Sequence, residues 1–208
     1  MKVNLEKVKP TDIEIRSFAM ITEELGEQIF SKEQEPIIKR CIHTSADFDY
    51  ADNLCFSEKA VEKAIKAIQE GANIITDTQM VKAGINKTSL AKWGGQVHCF
   101  MSDEDVAQIA KENGTTRATA SMDKAALLEG SLIFAVGNAP TALVRLYELI
   151  KEGKIKPELI IGVPVGFVNV VQSKELIMEL DIPYIVAKGR KGGSNIAACI
   201  CNALLYMI

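Results

Sequence analysis

The segment Arg40-Cys41-Ile42-His43-Thr44-Ser45-Ala46-Asp47-Phe48-Asp49-Tyr50 carries the first group of side chains with chemistry in them. On a helix, Arg40 and His43 stand at i and i+3 and share a face, pairing a fixed cation with the residue type that titrates near neutral pH. That is an acid/base unit beside an anion. The same spacing also fits a structural histidine at a helix end capped by Thr44 or Ser45. The second group is Gly189-Arg190-Lys191-Gly192-Gly193-Ser194. Its glycines let main-chain N–H groups approach a ligand closely, and Arg190 and Lys191 add charge where the last helix begins, a combination suited to an anion. The segment follows neither G-x-G-x-x-G nor G-x-x-x-x-G-K-[ST], so a carboxylate fits at least as well as a nucleotide. His98 with Cys99, Cys41 with His43, and Cys199 with Cys201 lack structural zinc spacing and read as buried thiols, not metal ligands. Asp77 reads as a cap or polar strand end. Ser121 has no G-x-S-x-G setting, which argues against a hydrolase triad.

The elements that must position these groups alternate from residue 72 onward, short β-rich runs with longer helical patterns, as in a parallel sheet flanked by helices. Strands are expected at 73–76, 96–100, 132–136, 159–162 and 184–187. Helices are expected at 78–84, 103–113, 116–128, 141–152, 170–180 and 195–207. Ser102 is the expected N-cap of the helix at 103. The first 70 residues read as helical throughout: Thr11 and Glu14 form a capping-box pattern, with Ile13, Phe18, Ile21, Leu25 and Ile29 as an apolar stripe. Further helices are expected at 35–44 and from Ser57 onward. Ligands of open parallel sheets bind beyond the carboxyl ends of the strands. That rule directs attention to Thr76-Asp77-Thr78, His98–Ser102, Gly137-Asn138-Ala139-Pro140-Thr141, Gly162–Phe167 and Gly189–Ser194.

Composition narrows the function classes. The 208 residues are 48% hydrophobic and 25% charged, ordinary globular usage that excludes a disordered chain and suits a single domain over 1–208. With 24 Lys+Arg against 27 Asp+Glu the net charge is −3, so no global field draws nucleic acid or an anionic membrane. Seven Phe, four Tyr and Trp93 show no basic-aromatic interleaving of the kind single-stranded nucleic acid sites use. Five scattered cysteines without a C-x-x-C pair read as reduced cytosolic thiols. Residues 1–7 have no apolar core of a leader, and the apolar run at 159–168 is broken by Gly162, Pro164 and Gly166. A cytoplasmic protein is expected.

Taken together, Arg40–Phe48, Thr76–Ile85, Ala118–Ala126, Gly137–Leu143, Gly162–Asn169 and Gly189–Ser194 resemble the precorrin-8X methylmutases of cobalamin biosynthesis, in the same order and over nearly the whole chain. The resemblance implies a flavodoxin-like three-layer α/β/α sandwich, here with a five-stranded parallel sheet and a helical N-terminal segment. It also implies a homodimer with the site near the subunit interface. The implied reaction moves a methyl group from carbon eleven to carbon twelve of precorrin-8X or its cobalt complex, giving hydrogenobyrinate or cobyrinate. It places the catalytic histidine at His43 and substrate contacts at Ser17 and Arg40. The reaction is intramolecular and redox-neutral, so the protein needs no cofactor and no metal of its own. A tetrapyrrole polycarboxylate calls for local donors, and Arg117, Asn138, Arg190, Lys191, Gly192 and Gly193 are the candidates. Pro164, Val165, Phe167 and Val168 form an apolar rim that suits a ring face. Two other classes are open: a non-catalytic corrinoid carrier, and a phosphate or nucleotide enzyme using Gly189–Ser194.

Overall fold

The computed structural model describes residues 8–28 and 30–208; the leader reading at 1–7 and the stripe residue Ile29 fall outside the described residues. In chain order come α1 (Ile13–Leu25), α2 (Glu35–Ser45), α3 (Tyr50–Asn53), β1 (Leu54–Phe56), α4 (Ala60–Gln69), β2 (Asn73–Thr76), α5 (Gln79–Gly84), α6 (Lys87–Ala91) and β3 (Val97–His98). Then follow α7 (Glu104–Glu112), α8 (Arg117–Ala125), β4 (Leu132–Val136), α9 (Pro140–Lys151), β5 (Leu159–Gly162), α10 (Val170–Met178), β6 (Tyr184–Ala187) and α11 (Ser194–Leu205).

The strands form one six-stranded sheet of order β1-β6-β5-β4-β2-β3. The expected five parallel strands are present, but the sheet is mixed, because β1 pairs antiparallel with β6, Leu54 opposite Ala187 and Phe56 opposite Ile185. Three residues are too few to show a strand period, so β1 was hidden inside a region read as helical. Numbered along the chain, the five parallel strands lie in the order 2-1-3-4-5, a doubly wound arrangement whose direction reverses between β2 and β4. The strand expected at 96–100 shrinks to Val97–His98, since only β2 flanks it.

Alternating side chains send the sheet into two cores. Ile133 and Ala135 of β4 join α2, α4 and α11, while Leu132, Phe134 and Val136 join α8, α9 and α10. The middle strands are therefore buried on both faces, which is why they read as continuous apolar runs. Full burial of a side chain such as Phe134 or Ile160 stabilises the fold by roughly 1.5–3 kcal/mol.

Two expected caps do not form. Thr11 lies in a 3-10 turn and bonds Asp12, while Glu14 turns toward Arg40. Asp103, not Ser102, precedes α7, and the Ser102 hydroxyl accepts from Gln79 Nε2 at 3.2 Å. The α1 stripe is mostly uncovered: Ile21 is buried, Phe18 and Leu25 are half-buried, and Ile13 is 52% exposed. Among the described residues it packs mainly on α2.

The antiparallel strand decides where α2 ends. Leu54, at the start of β1, lies beside the last residue of β6, so the chain between α2 and β1 sits at the carboxyl edge of the parallel strands. His43, in the last turn of α2, is brought to the edge where ligands of such sheets bind.

Candidate active site

Helix α2 buries Ile37, Ile38, Cys41 and Ile42 and packs chiefly on α11, and this apolar spacing turns His43 outward. The helix ends on Ala46, left-handed at φ 54°, whose N–H donates to Ile42 O at 2.7 Å. Phe18 of α1 stacks on the His43 ring, centroids 5.2 Å apart and planes 20° apart. Ser17 lies beside them, its hydroxyl donating to Ile13 O at 2.9 Å. Ser17, Met20, Ile21, Ile42, His43 and Phe48 line a cavity of about 210 Å³. No group of the described residues hydrogen-bonds the imidazole.

One turn back, Arg40 is enclosed. Its Nη2 donates to Glu14 Oε1 at 2.6 Å, and its Cζ sits 5.2 Å from the Phe18 ring and 5.1 Å from the Tyr206 ring. Arg40, Phe18 and Tyr206 border a cleft of about 340 Å³ between α1, α2 and the end of α11. The structure thus brings Ser17, Arg40 and His43 together. Sequence reasoning took Phe18 only as a stripe residue and Glu14 only as half of a capping box, and missed Tyr206 altogether. A partly apolar helix with an acid one turn ahead of its aromatic residue was the available signal.

The Gly189–Ser194 segment meets this region through Lys191, whose Nζ contacts Asp47 at 2.7 Å and Asp49 at 2.6 Å. The Lys191 ammonium holds the Asp47 carboxyl below the usual carboxylate range, and the two carboxylates push the Lys191 pKa up. The segment is braced from beneath by Lys174 of α10, 1% exposed, whose Nζ donates to Gly189 O at 2.9 Å and Lys191 O at 2.8 Å. Burial lowers the Lys174 pKa to about 8. Gly193 N–H donates to Val163 O at 2.8 Å, and a Cβ on Gly192 would stand 2.1 Å from that same oxygen. The segment is a packed strut, not an open cradle, with Lys191 and the Gly193 amide committed to internal partners. Arg190 lies over the ring of Phe167, 5.4 Å from its centroid, next to exposed Val165 and Val168.

At the reversal between β2 and β4, the amides of the turn before α9 are taken by the chain itself. Buried Asp77 accepts from the amides of Gly137 at 2.8 Å, Asn138 at 2.8 Å and Ala139 at 2.7 Å, tying the turn that opens α9. Burial pushes its carboxyl up, and the three amides pull the other way. Asp77, read as a cap or polar strand end, leaves the cap of its own helix α5 to Thr78, which accepts from Val81 N–H, and ties the turn before α9 instead. The Asn138 side chain is exposed here, and Thr78 and Ser194 hydroxyls lie 2.9 Å apart nearby. Arg117 begins α8, exposed, on the opposite face of the sheet from α2. It is not grouped with His43.

All five cysteines are free thiols. Cys199 of α11 faces α2, where Thr44 Oγ1 donates to its Sγ at 3.2 Å. Among the described residues no group of three His, Cys, Asp or Glu side chains could hold a metal. Nor is any helix among them long and apolar enough to cross a membrane.

The geometry has counterparts in known proteins. The family model CbiC: Precorrin-8X methylmutase matches residues 12–207. The cobalt-precorrin-8 methylmutase of Priestia megaterium is 49% identical over 197 residues, covering 95% of this chain and 88% of that one. The precorrin-8X methylmutase of Pseudomonas aeruginosa is 38% identical over 192 residues, covering 91% of each. A solved precorrin-8X methyl mutase from Thermus thermophilus superposes with a TM-score of 0.85 at 40% identity, over 94% of this chain and 96% of that one. Sequence and fold agree along nearly the full length, and the chain belongs to the precorrin-8X methylmutase family.

Proposed function

We propose that the protein is an isomerase of cobalamin biosynthesis that moves a methyl group from carbon eleven to carbon twelve of precorrin-8X or cobalt-precorrin-8. The carbon–carbon bond at carbon eleven breaks and the one at carbon twelve forms, with no net change in atoms or electrons. The observation that carries the reading is His43: an exposed imidazole on a helix end at the carboxyl edge, steadied by Phe18 and bonded to none of the described groups, beside Ser17 and Arg40. Such an imidazole is placed to protonate, or donate a hydrogen bond to, a ring nitrogen. Electron density drawn toward that nitrogen lets the methyl group shift. General acid help of this type is worth about 10²–10⁴-fold in rate.

Arg40 and Ser17 are the substrate contacts in this reading. Of the further donors, Arg190, Arg117 and Asn138 are exposed, whereas Lys191, Gly192 and Gly193 act mainly by shaping the edge. The exposed side chains of Val165, Phe167 and Val168 suit the face of a macrocycle and a second copy of the chain. We assign a homodimer with the site near that interface, one domain over 1–208, and a cytoplasmic setting in keeping with five free thiols. The nucleotide reading through Gly189–Ser194 is disfavoured because the Gly193 amide donates to Val163 O and Lys191 is held by Asp47 and Asp49.

The test incubates the purified protein separately with precorrin-8X and with cobalt-precorrin-8 and follows the visible spectrum. Conversion to the hydrogenobyrinate or cobyrinate spectrum supports the isomerase, and the two rates identify the natural substrate. Binding without conversion would make the protein a carrier, and no response to either tetrapyrrole would overturn both readings.

A further inference from the structure

The residue assigned to a substrate carboxylate already holds one. Arg40 directs Nη2 to Glu14 Oε1 at 2.6 Å, and the rings of Phe18 and Tyr206 lie against the same guanidinium. A guanidinium recognises any carboxylate presented to its fork, whether from the chain or from a ligand. We propose that Glu14 is a positioning residue that occupies Arg40 in the free protein and gives way to a carboxylate of the substrate, so that α1 shifts over His43 as substrate binds. The inference rests on the isomerase reading of the site, which supplies the polycarboxylate.

Three observations favour Glu14 as the partner that leaves. Its side chain is 57% exposed against 25% for Arg40, so Glu14 regains water at little cost while Arg40 stays in place. Helix α1 buries Ile21 alone and packs mainly on α2, so few apolar contacts among the described residues resist its movement. Phe18 touches both Arg40 and His43, so a change at the ion pair is felt at the imidazole through one side chain. Glu14 therefore tunes two things together: the affinity of Arg40 for substrate and the cover over His43.

The test compares the full chain with Glu14→Gln, which keeps the shape and removes the charge. In Glu14→Gln, KM for the tetrapyrrole falls on the order of two- to fivefold, the scale of a partly exposed ion pair, and the change lies in KM more than in kcat. Without ligand, the amides of α1 exchange hydrogen faster than in the wild type, while those of β4 and β5 do not. Glu14→Asp, with the charge on a shorter arm, gives a KM between the two. An unchanged or raised KM in Glu14→Gln, or α1 exchange equal to wild type, overturns the proposal, as does a Glu14→Asp KM at or above the wild-type value. If wild type converts neither tetrapyrrole, the isomerase reading fails by itself. The ligand-free exchange comparison then still decides whether Glu14 holds α1.

Discussion

Phe18 and His43 come from different helices and lie ring on ring, 5.2 Å between centroids and 20° between planes. The stack fixes the imidazole plane without using either nitrogen, so orientation and proton chemistry are supplied by separate groups. Phe18→Ala removes the orienting face and also a neighbour of Arg40. Its expected effect is a loss of roughly 10- to 100-fold in kcat/KM, read by steady-state kinetics, because small misplacements of a reacting group are costly.

His43→Ala is expected to lower kcat by about 10²–10⁴-fold. The side chain is exposed, so its removal changes stability by only about 0.5 kcal/mol. Binding of hydrogenobyrinate, followed by titration of its visible absorbance, stays close to wild type. Turnover unchanged in this variant would remove His43 from the mechanism.

Acid should loosen the tie between Lys191 and the turn after α2. Asp47 titrates below its usual value of 3.8 in the folded protein, so its contribution to stability is present above that value and lost as pH falls through the lower folded one. Lys191 titrates above 10.5, so its share is complete below that pH and lost only as pH rises through the higher folded value. Across the neutral range Lys191→Met is therefore less stable than wild type. The difference, measured by urea unfolding, vanishes in strong acid.

Lys174 has the opposite sign. Its pKa is about 8 when folded against 10.5 otherwise, so between those values the unfolded chain holds a proton that the folded one has released. Stability relative to Lys174→Met rises with pH across that window, by at most about 1.4 kcal/mol per pH unit. Unfolding curves for both proteins at pH 7, 8, 9 and 10 check the slope.

Gly192 and Gly153 separate crowding from backbone conformation. An alanine at 192, where φ is +155°, would place Cβ 2.1 Å from Val163 O, whereas at 153, with φ +70°, nothing lies within 4 Å. Gly192→Ala is expected to cost about 3 kcal/mol or more and Gly153→Ala about 1 kcal/mol, measured by thermal unfolding.

Much of this was legible in the residues. The long apolar runs at β4 and β5 have both faces covered, so composition alone marks them as central strands. The α2 pattern, with His43 and Arg40 off the apolar stripe, marks two side chains available for chemistry. What could not be read was set by neighbours distant in sequence. Leu54–Phe56 is a strand only because β6 offers an edge. Glu14 looked like half of a capping box until Arg40, 26 residues later, claimed its carboxylate. Lys191 looked like a free cation for a ligand, and Asp47 and Asp49 neutralise it. Local pattern reports propensity, whereas these partners were chosen by tertiary contact.

The short antiparallel strand that carries α2 to the carboxyl edge also closes one side of the sheet. With β1 of three residues at one border and β3 of two at the other, neither border presents a ladder long enough for a foreign strand to extend. The protein can therefore hold Val165, Phe167 and Val168 in the open with little risk that the sheet beneath templates aggregation.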